Sequence, residues 1–212
     1  MAQYGKASYW DDRYNKDPEA FDWYQRYSGL SEIMSKYIKR DDAILMAGCG
    51  NSRMTEDMIE DGYTSITNID VSRVVIDQMK EKYKDKKDTF IYQIMNVCGL
   101  EFPDESFDAI IAKGVMDAIL CGEGSTANVA KMCMEASRVL KPNGVLFIVS
   151  YGFPDNRLQY LDNEDYSWKV STHTVPKPTV SAASGVANDT ADASSVHYIY
   201  VCQKGAGGTD DA

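Results

Sequence analysis

The chain has 212 residues, of which 44% are hydrophobic and 25% are charged, so it is long enough for one domain with a sizeable core and too short for two. Its formal net charge of −10 disfavours a basic face for nucleic acid or anionic lipid. Apolar runs such as 144–149 last only about six residues, whereas a membrane span needs ~20. The sequence therefore predicts a soluble protein with neither nucleic-acid nor membrane partners.

The N-terminus and the cysteines bear on location and metal binding. Residues 1–10 lack the basic and then apolar pattern of a secretory signal, so a cytoplasmic protein is expected. Five cysteines are scattered along the chain: Cys49, Cys98, Cys121, Cys133 and Cys202. Without a Cys-x-x-Cys pair they indicate free, mostly buried thiols rather than disulfides or a metal site. His173 and His197 are expected to be structural.

Aromatic side chains are concentrated in residues 1–27. Trp10, Arg13 and Tyr14 recur at helical spacing and predict one face of a short helix, which Asp17-Pro18 ends. A second helix is predicted from Ser28 to Lys39. Residues 1–40 are therefore interpreted as a helical N-terminal extension, whose aromatic side chains either fold over a ligand as a lid or pack as ordinary core.

From residue 41 to residue 203, short apolar segments alternate with amphipathic ones. Strands are predicted at 43–47, 65–70, 89–95, 107–112 and 145–150, helices at 52–60, 72–84 and 126–140, and an antiparallel pair at 166–175 and 195–203. This order predicts an α/β fold with a doubly wound, seven-stranded, mostly parallel sheet and an antiparallel last strand. Composition predicts a mobile loop at 177–194 and a disordered tail at 204–212.

A glycine turn follows the first predicted strand, in the segment Met46-Ala-Gly48-Cys-Gly50-Asn-Ser. Two glycines permit a tight turn and the close approach of a ligand at the carboxyl end of a strand. A dinucleotide fingerprint needs a small residue where this chain has Arg53, which disfavours nicotinamide and flavin. The absence of Gly-Lys-Ser/Thr after this turn also argues against a P-loop.

Polar residues follow the next three predicted strands. Asp70 either accepts the two hydroxyls of a ribose or caps the following helix. The segment Asn96-Val97-Cys98 either meets an adenine edge or is a plain loop. Lys113 and Asp117 either lie at the rim where a reacting group would sit or form a solvated pair. Together with the glycine turn, these strand ends predict a site for S-adenosylmethionine and its product S-adenosylhomocysteine.

Several motifs also resemble a known family. They are Tyr9-Trp-Asp-Asp-Arg-Tyr14, Phe21-Asp-Trp-Tyr24, Gly48-Cys-Gly-Asn-Ser52, Asn68-Ile-Asp70-Val-Ser72, Lys113-Gly114 with Asp117-Ala118, and Ser137-Arg-Val-Leu140. Their combination resembles the eukaryotic lysine methyltransferases of translation elongation factor 1-alpha, a class I S-adenosylmethionine-dependent family that includes methyltransferase 4 and its relatives. The resemblance implies these cofactor contacts, with Gly50 in the same turn: Trp10, Tyr14, Trp23, Gly48, Asp70, Val71, Asn96, Val97 and Lys113.

The resemblance further implies transfer of a methyl group to a neutral lysine amine of elongation factor 1-alpha. Asp117 is the candidate residue for orienting that amine. The chain departs from the family at Asn96, where a carboxylate is usual, and in the insert 177–194, which lies where substrates tend to dock. Two alternatives stay open: a methyltransferase of small-molecule substrates, and a non-catalytic module that uses the same fold to bind a partner.

Overall fold

Parallel strands form the centre of the structure, which is a computed structural model that describes residues 3–178 and 195–206. The seven strands are β1 (Ala43–Ala47), β2 (Ser65–Asp70), β3 (Ile91–Ile94), β4 (Phe107–Lys113), β5 (Leu140–Ser150), β6 (Trp168–Pro176) and β7 (Val196–Lys204). Their order in the sheet is β3-β2-β1-β4-β5-β7-β6. Among the strands of the described residues, β7 alone runs against the direction of the others and pairs antiparallel with β5 and β6, which confirms the predicted fold class.

Helices cover both faces of this sheet. They are α1 (Ala7–Lys16), α2 (Tyr27–Met34), α3 (Met54–Glu60), α4 (Arg73–Lys82), α5 (Val115–Leu120), α6 (Ser125–Val139) and α7 (Pro154–Leu161). Successive strand residues point to opposite faces, so Ile44 and Met46 of β1 join one buried cluster and Leu45 and Ala47 join the other. None of the helices within the described residues is both long and apolar enough to cross a membrane.

The first helices pack into this same body. Tyr14 of α1 and Leu30 and Met34 of α2 are buried in one cluster with Ile44 of the central strand. The helix predicted from Ser28 to Lys39 ends at Met34 and continues as turns. The predicted extension, described from residue 3 to residue 40, therefore shares its core with the sheet.

Two helices were not predicted, and one strand boundary differs. Helices α5 and α7 have six and eight residues, too few to show a clear helical period. Strand β5 begins directly after α6 at Leu140 rather than at Val145, and its pairing with β4 shifts register between Phe107 and Ala109. The segment 141–144, expected to be only a helix stop, thus belongs to β5, with Asn143 at a φ of 64°.

The end of the described chain is held by hydrogen bonds. Lys204, predicted to begin a disordered tail, lies in β7, and its Nζ donates to the carbonyls of Ser137 and Leu140, each at 2.7 Å. Residues 207–212 and most of the predicted loop, 179–194, lie outside the described residues. All five cysteines are free and three of them are buried, as predicted.

Candidate functional site

A cavity of about 570 Å³ lies where β1, β2 and β4 end, the edge at which open α/β sheets bind ligands. It is lined by all eleven predicted site residues: Trp10, Tyr14, Trp23, Gly48, Gly50, Asp70, Val71, Asn96, Val97, Lys113 and Asp117. The structure therefore brings these residues together, and their individual ligand contacts stay predictions.

The turn after β1 gives the cavity a wall of backbone. Gly48 and Gly50 have φ angles of 63° and 52°, in the left-handed region that favours glycine. A Cβ on Gly48 would collide with the side chain of Val115, and one on Gly50 would lie 2.7 Å from the Tyr14 hydroxyl. Backbone conformation and space both require glycine here, which lets a ligand approach the main chain.

Asp70 ends β2 with its carboxylate buried beside the glycine turn. It accepts hydrogen bonds from the backbone N–H groups of Gly50 and Ser72, each at 2.9 Å. Burial raises the pKa of Asp70, although these N–H groups oppose that shift. Helix α4 is capped by Ser72, whose Oγ accepts from the Val75 N–H. Because a carboxylate has about four acceptor positions, Asp70 keeps capacity for ligand hydroxyls.

The loop after β3 lines the cavity and is held in place by hydrogen bonds. The Oδ1 of Asn96 accepts from the Cys98 N–H at 2.9 Å, and the Cys98 thiol lies 3.3 Å from the Asn128 carbonyl on α6. This turn presents Asn96 and Val97 to the cavity. Asn96 retains its amide N–H groups and a second lone pair on Oδ1 for the edge of a planar base.

Aromatic rings from the N-terminal segment form the opposite wall. The Trp10 ring stacks on Tyr14 with centroids 6.0 Å apart and meets Trp23 edge-on at 6.2 Å. A Cβ on Gly5 would lie 2.5 Å from the Cα of Gly122, so the segment touches the turn after α5 directly. The aromatic N-terminal segment therefore both lines the cavity and packs against the rest of the fold.

Lys113 is a buried cation at the end of β4. Its Nζ forms an ion pair with Asp22 at 3.1 Å and donates to the Trp23 carbonyl at 2.9 Å. Burial lowers the pKa of Lys113, and the Asp22 carboxylate opposes that shift. The alternative of a solvated pair between Lys113 and Asp117 is wrong, because both side chains are buried and have other partners.

Asp117 in α5 is surrounded by donors. Its carboxylate pairs with Arg157 of α7 at 2.8 Å, and accepts from the Ser150 hydroxyl at 2.6 Å and the Tyr151 N–H at 3.1 Å. The guanidinium neutralises its charge inside the protein. This geometry argues against the predicted role of Asp117 as the group that directly orients an amine.

Three residues that shape the cavity were missed at the sequence level. Asp22 anchors Lys113 and also accepts a hydrogen bond from Ser52. Asp11 accepts from the Ser72 hydroxyl at 2.6 Å and so joins α1 to the start of α4. Tyr24 lines the cavity. The motif Phe21-Asp-Trp-Tyr24 contains two of the three, and only Trp23 was singled out in it.

The site fits S-adenosylmethionine in size and chemistry. Its volume lies within the ~300–1,000 Å³ of small-molecule sites. The glycine turn suits close backbone approach, Asp70 suits ribose hydroxyls, and the faces of Trp10 and Tyr14 suit a cationic group. In the part of the chain that the structure describes, no group of three or more His, Cys, Asp or Glu side chains could hold a metal ion.

Comparison with known proteins gives the family. Residues 45–148 match the protein family described as "Methyltransferase domain". The EEF1A lysine methyltransferase 4 of Bos taurus is 30% identical over 177 residues, which cover 79% of this chain and 69% of that protein. The chain belongs to the class I S-adenosylmethionine-dependent methyltransferases.

In one other relative the matched region is a smaller part of the protein, and in a solved structure only the fold is shared. The eEF1A lysine and N-terminal methyltransferase of Mus musculus is 38% identical over 151 residues. The match covers 70% of the present chain but only 22% of the mouse protein. A solved structure of Burkholderia thailandensis 1,6-didemethyltoxoflavin-N1-methyltransferase with bound S-adenosylhomocysteine has a TM-score of 0.69 at 14% identity, covering 94% of this chain and 87% of that one.

Proposed function

We propose that this domain transfers a methyl group from S-adenosylmethionine to the side-chain amine of a lysine in translation elongation factor 1-alpha. The names of the two relatives above support this substrate, since both are called methyltransferases of eEF1A lysine. The net charge of −10 is compatible with a basic protein partner. A cytoplasmic location belongs to the same proposal.

The exposed rim of the cavity is the observation that supports a protein, rather than a small molecule, as the substrate. Tyr151 and Phe21 both line the cavity, and they are 52% and 47% exposed. A rim of exposed aromatic side chains suits a long side chain that enters from the surface of a folded partner. An enclosed small molecule would instead leave the walls of its pocket buried.

The cavity residues would bind and orient the cofactor and would exclude water from it. When bound, S-adenosylmethionine supplies a methyl group activated by its sulfonium. The turn at Gly48 and Gly50 would approach the methionine moiety, and Asp70 would accept from the ribose. The other residues predicted to bind the cofactor would meet the adenine or cover the site: Trp10, Tyr14, Trp23, Val71, Asn96, Val97 and Lys113.

Radiolabelled S-adenosylmethionine and a eukaryotic cell extract test the proposal. The wild-type protein is expected to label one band, identified as elongation factor 1-alpha, and Asp70→Ala is expected to abolish the label. Asp77→Ala is the matched control, because Asp77 is exposed on α4 and does not line the cavity. Purified elongation factor 1-alpha should then be labelled in the same way.

Other results would identify the alternatives. Label that enters only the small-molecule fraction would indicate a small-molecule methyltransferase. A protein that labels nothing and is not stabilised by S-adenosylhomocysteine in a thermal-shift assay would be a non-catalytic binding module.

A further inference from the structure

Tyr24 has a backbone conformation that is rare for a bulky residue. Its φ is 64°, and the Gln25 N–H donates to the Trp23 carbonyl at 2.7 Å across it, which makes a tight three-residue turn. Such turns with a positive central φ are rare and strained. Strain of this kind persists where surrounding contacts enforce it and is concentrated at functional sites.

Buried contacts hold this turn in place. The Trp23 carbonyl that closes the turn also accepts from Lys113 Nζ, and Asp22, next in the chain, forms the ion pair with that ammonium. Gln25 on the other side donates to the Pro176 carbonyl of β6 at 2.6 Å. Two strands therefore fix both ends of the turn.

The turn directs the Tyr24 ring into the cavity above the end of β4. The ring lies 5.0 Å from the ring of His197 and 6.1 Å from that of Tyr151, between centroids. Gly114 lies next to the ring, since a Cβ there would be in ordinary contact with Cε2 of Tyr24 at 3.4 Å. Tyr24 thus lines the part of the cavity that opens beside the exposed Tyr151.

Asp117 lines the cavity together with Tyr24, and burial first, then the charge of Asp117, raise the pKa of Tyr24, so the phenol keeps its proton. A phenol has a single proton, so a phenol that donates to Asp117 has only its lone pairs for another partner. Arg157 and Ser150 already balance the Asp117 carboxylate, so this carboxylate does not favour the protonated form of an approaching amine as a free one would.

We propose that Tyr24 is the acceptor-binding residue of this domain, that its hydroxyl donates to Asp117, and that its oxygen accepts a hydrogen bond from the N–H of a neutral primary alkyl amine. The assignment rests on the proposed function, because a lysine side chain supplies that amine. Asp117 is then a positioning residue that fixes the phenol proton. Because Tyr24 cannot donate to the nitrogen, the lone pair of the amine stays free.

The transfer balances with this arrangement. The lysine ammonium first loses one proton to water, and the neutral amine binds at Tyr24. Its lone pair forms the new nitrogen–carbon bond as the carbon–sulfur bond of the donor breaks and the sulfur keeps that electron pair. The positive charge passes from sulfur to nitrogen, and the methylated ammonium leaves as it is or loses a proton to water.

Amine binding without catalysis tests the assignment. The probe is Nα-acetyl-lysine methylamide, titrated at pH 9 into the complex with S-adenosylhomocysteine and followed by NMR. Tyr24→Phe is expected to raise the dissociation constant of the probe about tenfold, the effect of one lost hydrogen bond, while affinity for S-adenosylhomocysteine is unchanged. Tyr63→Phe is the control, since Tyr63 is buried outside the cavity, and it should bind the probe as the wild type does.

Equal probe affinity in the wild type and Tyr24→Phe would overturn the assignment. A second measurement uses wild-type protein with 13Cζ-labelled tyrosine. The saturating probe should shift the resonance of Tyr24, identified as the one missing from Tyr24→Phe, and an unshifted Tyr24 resonance would also overturn the assignment. Neither measurement uses a protein substrate. Failure of the wild type to methylate elongation factor 1-alpha would therefore count against the proposed function alone.

Discussion

The Nζ of Lys113 donates a hydrogen bond at 2.9 Å to the carbonyl of Trp23, which lies 90 residues earlier in the chain. This bond and the ion pair with Asp22 join the end of β4 to the N-terminal segment inside the protein. Lys113 therefore acts as a buried clamp on the aromatic wall, a role beyond its predicted contact with a cofactor.

Removal of this cation should destabilise the protein. Lys113→Met is expected to lower the free energy of unfolding by about 3 kcal/mol, because the Asp22 carboxylate is left buried without its cation. Urea unfolding followed by circular dichroism measures the change. Adding Asp22→Asn should recover about half of the lost free energy of unfolding, since the uncharged amide oxygen can still accept a hydrogen bond from Ser52. A double variant no more stable than Lys113→Met would contradict this account.

Two aspartates near α4 should separate ligand binding from stability. Asp70→Asn is expected to weaken binding of S-adenosylhomocysteine by about 100-fold, the weakening of two charge-assisted hydrogen bonds, in isothermal titration calorimetry. It should also lower stability, because the new amide NH2 would face the N–H of Gly50 or Ser72. Asp11 contacts Ser72 and the Val74 N–H but does not line the cavity. Asp11→Asn should lower stability by about 1 kcal/mol and weaken affinity far less than Asp70→Asn does. Equal losses of affinity in both variants would refute the ribose assignment.

The glycine turn allows steric collision to be separated from backbone strain. Gly48 and Gly62 both have positive φ, which costs a side-chain residue about 1–2 kcal/mol, but only a Cβ on Gly48 would collide with Val115. Gly48→Ala should therefore lower the free energy of unfolding more than Gly62→Ala. Adding Val115→Ala to Gly48→Ala should remove most of this excess. Equal effects of the two single variants would show that space is not limiting.

His197 should make stability depend on pH. Its Nδ1 lies 3.2 Å from the Gln25 amide nitrogen, which can only donate, so this ring nitrogen is unprotonated. Burial and the charge of Lys177 lower the pKa of His197, although Asp117 opposes them. The unfolded chain therefore takes up a proton at about pH 6.5 and the folded one only at lower pH. Stability should fall as pH drops from about 6.5 through the folded pKa.

The comparison with His197→Asn isolates this contribution. Unfolding free energies from pH 8 to pH 5 should show the wild type losing stability relative to the variant below about pH 6.5. A difference between the two proteins that does not change with pH would rule out His197 as its source.

The sequence predicted the parts of the site that depend on neighbouring residues. Gly48, Gly50 and Asp70 lie at strand ends, where the order of apolar and polar residues indicates both the strand and its edge. The same local pattern predicted the seven strands and their direction, because alternating strands and helices restrict the sheet to few topologies.

The missed features depend on contacts between distant segments. Asp117 was assigned to an amine because its partner Arg157, 40 residues later, belongs to α7, a helix that the sequence did not predict. The strained turn at Tyr24 is held by hydrogen bonds to Lys113 and Pro176, which lie on its two sides. Local spacing does not encode such tertiary contacts.

One wall of the cavity comes from residues 4–24 and the other from the ends of the sheet. A ligand that fills the space touches both, so binding and the docking of the N-terminal segment are linked equilibria: each strengthens the other by the same factor. Protection of this segment from limited proteolysis is therefore a measure of ligand occupancy, and it needs neither a substrate nor turnover.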